Sequence, residues 1–99
     1  MAKYVYLISD KNNYTYKIGI SKNPKNRLKQ LQTGSDKKLV ICKQVLCENA
    51  DQVEASLHHI YSIYNIQGEW FELNDIEIEN FEIKCKTIDN DINKIKNNF

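Results

Sequence analysis

Two short runs of β-branched and aromatic residues, 3–8 (KYVYLI) and 14–20 (YTYKIGI), flank a polar stretch at 9–13 and together predict a β-hairpin. With a loop at residues 10–13, Ser9 faces Tyr14, Tyr6 falls opposite Lys17 and Tyr4 opposite Gly19. Val5, Leu7, Tyr16, Ile18 and Ile20 then share a core face, and Tyr6 and Lys17 stand on the open one. Asn23 before Pro24 predicts a helix start, because asparagine caps free amides and proline suits the first helical position. That helix runs to about residue 32 and is stopped by Gly34. Leu28 and Leu31 form its inward pair, Arg27 borders their stripe, and Lys22, Lys25 and Lys29 surround it.

Residues 39–46 (LVICKQVL) have the length and composition of a third strand. Asn49 and Gln52 have capping-box spacing, and Val53, Leu57, Ile60, Tyr61 and Tyr64 recur at threes and fours, which predicts a second helix. Glu54, His58 and Tyr61 line one flank of it. Gln67 and Gly68 end the segment, and residues 70–73 (WFEL) resume as a strand or extended cover. Further on, Ile76, Ile78, Phe81 and Ile83 mix periods, whereas Ile88, Ile92, Ile95 and Phe99, with Thr87 as cap, predict a C-terminal helix. Its apolar stripe either closes the domain's own core or meets a second copy in a homodimer. The fold class is α+β, with a small three-stranded antiparallel sheet flanked by helices. One domain spans residues 1–99, with its core at about 3–73 and an extension at 74–99.

The 99 residues and 41% hydrophobic content suit one small core. No run is long enough for a membrane span and no signal-peptide pattern opens the chain, so a soluble intracellular protein is expected. Cys42, Cys47 and Cys85 are an odd set without metal spacing, read as reduced, buried and apolar. The net charge of +1 hides a division: ten basic residues against Asp10 and Asp36 up to residue 43, a net of +8, then four lysines against eleven acids, a net of −7. A basic first half suits either a polyanionic partner or a solvated lysine-rich surface.

The residues able to carry chemistry are Tyr6, Lys17, Arg27, Glu54, His58 and Glu69. Singly, most have a structural use: strand tyrosines pack and helix arginines and glutamates are solvated, while His58 and His59 are adjacent, so at most one faces a site, and neither has a metal-binding partner one turn on. Jointly, a tyrosine, a lysine and an arginine on one concave face bind phosphate. A carboxylate on a facing helix can hold a divalent cation beside it.

The segments YVYLI, KIGIS ten residues on, NPKNRLKQLQTG, ADQVEASLHHIY and GEWFEL, in this order, resemble the GIY-YIG nuclease superfamily, specifically its compact phage and large-DNA-virus type, with KIG in place of YIG. The resemblance implies metal-dependent hydrolysis of DNA phosphodiester bonds, with RNA not excluded, using one divalent ion, Mg²⁺ or Mn²⁺. It implies Tyr6 as general base for the attacking water and Lys17 as the group that activates the water or steadies the phosphate. Arg27 would stabilise the pentavalent phosphate, Glu54 would bind the metal, and Gly19 would allow close backbone approach. His58, Glu69 and Asn74 are secondary candidates, and Lys22, Lys25 and Lys29 would contact nucleic acid. The alternative is a module of the same fold that binds nucleic acid with weak or no cleavage.

Overall fold

The computed structural model describes residues 2–10 and 14–98. The chain runs as β1 (Lys3–Asp10), β2 (Thr15–Ser21), α1 (Pro24–Thr33), β3 (Leu39–Cys47), α2 (Ala50–Ile60), a 3₁₀ turn (Ser62–Tyr64), β4 (Asn65–Gln67), β5 (Trp70–Glu72), α3 (Asp75–Glu79) and α4 (Phe81–Asn97). The fold is α+β as expected, but its antiparallel sheet has five strands rather than three, ordered β3-β1-β2-β5-β4. The two additional strands are three residues each: β5 falls within the stretch at 70–73 expected as strand or extended cover, and β4 is too short for an alternating pattern to declare it. They meet at a tight turn where Gly68 takes φ 57°, a conformation glycine adopts without penalty.

The hairpin register differs from the expected one by two. Tyr6 lies opposite Gly19, Ile8 opposite Lys17 and Asp10 opposite Thr15. The shift arises because pairing continues through Asp10 and the turn closes one residue later, at Tyr14 with φ 55°. Residues 11–13 of the expected loop lie outside the described residues. A slip of two leaves every side chain on its face. Val5, Leu7, Tyr16 and Ile18 therefore do build the core, joined by Val45 and Phe71 from the sheet, Val53 and Leu57 from α2, and Phe81 and Cys85 from α4.

The second face is not open. The cap is as expected, with the Asn26 amide donating to Asn23 Oδ1 at 3.2 Å, and α1 lays Leu28 and Leu31 over Tyr6, Ile8 and Leu39. Tyr6 is 2% exposed and Lys17 only 9%. The sheet is thus covered on both faces, by α2 and α4 on one and by α1 on the other.

The start of α2 departs from its expected capping box. Asn49 Nδ2 instead donates to Asp89 Oδ1 at 2.9 Å and to Asn93 Oδ1 at 2.8 Å, and Lys96 donates to Asn49 Oδ1. The backbone amides of Glu48 and Asn49 donate to the two Asp89 carboxylate oxygens at 3.0 and 2.8 Å. A side chain from α4 therefore accepts from the free amides where α2 begins, the need that a local cap usually meets. Helix α4 itself starts at Phe81, not at Thr87, and its stripe of Phe81, Cys85, Ile88 and Ile92 packs into the chain's own core. That use of the stripe lends no support to a second copy as its cover. Phe99 lies outside the described residues.

Cys47 and Cys85 are buried and free, and burial pushes their thiols up to about 11 and about 12. Cys42, expected to be buried, is exposed. In the β1–β3 ladder Leu7 pairs Lys43 and Ile8 pairs Ile41, so Cys42 is the extra residue of a bulge and its alternation is broken. No helix among the described residues is long and apolar enough to cross a membrane.

Burial raises the pKa of the Asp89 carboxyl, but the amides of Asn49 and Glu48, the Asn49 side chain and the Lys96 charge outweigh it and hold it below the usual aspartate range. A depressed native value stabilises the fold above the unfolded value of about 4, and that stability is lost as pH falls through the native one. Asp89→Asn is therefore expected to cost about 1–3 kcal/mol in denaturant unfolding at pH 7 and to flatten the acid limb of the stability profile.

Candidate functional site

Gly19 sits directly across the hairpin from Tyr6, and the phenol ring lies over it. A β-carbon at position 19 would stand 2.4 Å from the Tyr6 hydroxyl and 2.6 Å from Cζ. The missing side chain is what lets a tyrosine lie flat across β2 beneath α1.

The first turns of α1 place Arg27 at the border of the Leu28 and Leu31 stripe, as its sequence position predicts. From there the guanidinium comes within hydrogen-bond reach of the Tyr6 hydroxyl, and Nη1 donates to Gln30 Oε1 at 3.1 Å. Burial pushes the Tyr6 hydroxyl above its ordinary pKa. Arg27 opposes this through its hydrogen bond and its charge, and the negative charges of Glu69 and Glu54 add to the rise. The phenol is therefore neutral at pH 7 and keeps its hydroxyl hydrogen for a hydrogen bond.

Lys17, two residues before Gly19 on the same face, donates to Glu69 Oε1 at 2.9 Å, and its ammonium lies 6.0 Å from the centre of the Trp70 ring. Glu69 is delivered by the β4–β5 turn. Asn65 Nδ2 braces that turn through the carbonyls of Gly68 and Trp70, and the Glu69 carbonyl accepts from the Ile18 amide at 3.1 Å.

Beyond Lys17, β2 has no strand beside it on this edge, since pairing with β5 covers only Thr15 to Lys17. Helix α2 fills the gap. His58 Nε2 lies 2.9 Å from the Ile18 carbonyl, which can only accept, so Nε2 carries the proton, and the ring meets Phe71 edge-on at 5.0 Å. One turn earlier, half-buried Glu54 reaches the same edge. Burial raises its carboxyl above the ordinary value, the Glu69 charge raises it further, and the charges of His58 and Lys17 pull the other way. Tyr61, the third residue of the expected flank, turns into the core instead, with the Lys84 ammonium 5.0 Å from its ring centre.

The structure thus places Tyr6, Lys17, Gly19 and Arg27 at the second sheet face, with Glu54, His58 and Glu69 along the β2 edge beside it. Asn74 is not with them. It caps α3, accepting from the Glu77 amide at 2.9 Å, and lies among residues at the Tyr14 end of the sheet. Lys22, Lys25 and Lys29 are exposed along the start and outer side of α1, and no ion pair among the described residues involves them. Sequence reasoning missed Gln30 and Trp70, although the unusual string GEWF was a signal for the latter.

No group of three or more His, Cys, Asp or Glu side chains suited to a metal ion occurs among the described residues. Tetrahedral zinc, with three or four protein ligands, does not suit the donors present. Glu54, with Glu69 nearby, suits a hard cation such as Mg²⁺, which takes one or two carboxylates and completes its shell with water and substrate phosphate.

The domain is α+β, with Arg27, Lys17 and the Tyr6 hydroxyl on one face and carboxylates at its edge. Residues 3–96 match the T5orf172 domain, and the chain belongs to that family, whose domain is found in nuclease-like proteins of phages and viruses. The match includes α4 as well as the signature-bearing segments. No curated protein and no solved structure matches the chain.

Gly19→Ala should displace the Tyr6 ring and lower stability by about 1–3 kcal/mol, the usual cost of overpacking. Thermal unfolding in a double-mutant cycle checks the cause: in a Tyr6→Ala background the same substitution should cost little, and equal costs in both backgrounds would exclude the clash.

Proposed function

We propose that the chain is a GIY-YIG-type endonuclease that hydrolyses phosphodiester bonds of DNA with Mg²⁺ or Mn²⁺. The observation that carries this reading is the convergence of Arg27, Lys17 and the neutral Tyr6 hydroxyl on one surface, with Glu54 at its rim.

In this reading Arg27 offers a planar fork of N–H donors to two oxygens of the scissile phosphate, and its charge counters the negative charge that grows there. Lys17 adds a point charge, its orientation held by Glu69. Tyr6, protonated at neutral pH, donates to the phosphate or to the water in line with it, and serves as base only when a neighbour takes the phenol proton. Glu54, with Glu69 near it, is the residue that would hold the ion. Bound there, the ion supplies neutralisation of phosphoryl oxygens and acidification of water. Lys22, Lys25 and Lys29 attract the backbone on either side.

A second reading, a nucleic-acid-binding module that does not cleave, is favoured by one observation: the exposed lysines of α1 are available for phosphate whatever Glu54 does. The two readings separate by experiment. Arg27→Ala and Glu54→Gln should each lower Mg²⁺-dependent nicking of plasmid DNA by about 10²–10³-fold with unchanged melting temperature. Glu54→Gln should still bind. Nicking that persists in both variants sinks the site assignment, and wild-type binding without nicking in either metal selects the module.

Binding in either case should weaken with salt. Replacing Lys22, Lys25 and Lys29 by alanine should reduce the slope of log affinity against log salt by about 0.9 for each duplex-DNA phosphate that these lysines neutralise. Fluorescence anisotropy over a salt series measures it.

A further inference from the structure

The sheet face that carries Tyr6, Gly19 and Lys17 continues toward the hairpin turn, where Asp10 and Thr15 stand opposite each other. There lies an open cleft, of about 360 Å³, lined by Trp70, Leu39 and Ile66 and by residues 34–37, which lead out of α1. Its charged groups among the described residues are the buried Asp10 carboxylate, ion-paired with Lys37 at 3.4 Å, and Asp36. Among the described residues two carboxylates stand against one ammonium, a balance that disfavours a phosphate. An aromatic ring with aliphatic walls and a few polar groups suits a flat, uncharged heterocycle, and the volume is that of a small-molecule pocket.

Trp70 joins this cavity to the phosphate-binding surface. Its ring lines the cavity, and the Lys17 ammonium lies 6.0 Å from the ring centre. Along β2, Thr15 at the cavity and Lys17 at the surface are two residues apart, about 6.6 Å of strand. A phosphate held by Lys17 and Arg27 thus has its adjoining nucleoside within reach of the cavity.

We infer that the cavity is a nucleobase subsite: it takes one unpaired base flanking the held phosphate, stacked against Trp70, with the base's polar edge toward the Asp10–Lys37 pair. This rests on the nucleic-acid reading above and adds to it that the strand is single, or opened, beside the phosphate. A base stacked within a duplex has no free face to lay against Trp70, whereas one that is unpaired offers its face at small cost.

Trp70 is the chain's only tryptophan, so intrinsic tryptophan emission reports on this cavity. The test uses the wild-type chain without divalent cations and two single strands of equal length and charge, one with bases throughout and one with abasic sites in its centre. Both are expected to bind by anisotropy, with the base-bearing strand about tenfold tighter and alone in quenching Trp70, as stacking on an aromatic ring implies. Equal affinities with no base-dependent quenching overturn the subsite. If the same preparation then nicks DNA in Mg²⁺, only the subsite falls; if neither strand binds and no DNA is nicked, the nuclease reading falls with it.

Discussion

Two hydrogen bonds to one backbone unit organise this domain. Ile18 donates its amide to the Glu69 carbonyl and accepts from the His58 ring, at the position where β2 runs out of strand partners. An edge amide and carbonyl left bare beneath packed side chains would each need water or a partner. Here one tie comes from a hairpin and the other from a helix that follows a different strand. The edge of the sheet is thereby closed by the two elements that carry Glu69 and Glu54, while the Ile18 side chain anchors the core on the other side. Satisfying the backbone and assembling the charged cluster are one event.

That cluster is held together by opposed tendencies. Burial disfavours the ionised forms of both Tyr6 and Glu54, and the carboxylates disfavour each other. Arg27 and Lys17 supply the compensation, Lys17 through a 2.9 Å pair with Glu69. A group of side chains balanced in this manner is poorly explained as a device for stability, because a paired buried charge contributes little compared with an apolar residue of similar size. The anionic ligand proposed above would add a negative partner for cations that one carboxylate only partly neutralises.

Much of this was legible in the chain. Asn23 and Pro24 announced α1, the leucine pair oriented it, and alternation sorted β1 and β2 onto their correct faces even with the register two residues out. What escaped notice did so for physical reasons. The open face was closed by a helix whose stripe is only two leucines wide, so nothing in β1 or β2 reported the cover. The start of α4 was obscured because its buried positions include Cys85 and the carboxylate of Asp89, neither of which registers in an apolar period. The bulge at Cys42 inverted an alternation that depends on unbroken pairing. The mutual placement of Glu54 and Tyr6, which lie on elements covering opposite faces of the sheet, followed from the short reach of β5, a property of three residues that carry no periodic signal.

The carboxylate of Asp89 links these observations to the question of where the domain ends. The segment with the recognisable signatures stops near Leu73, and a dissection by motif would cut there. Yet the helix that presents Glu54 begins at amides whose acceptor belongs to α4, and Lys96, the last residue but one of α4, completes the same network through Asn49. Helix α4 therefore supplies the acceptor at the start of the helix that carries Glu54, and the family match, residues 3–96, includes that acceptor.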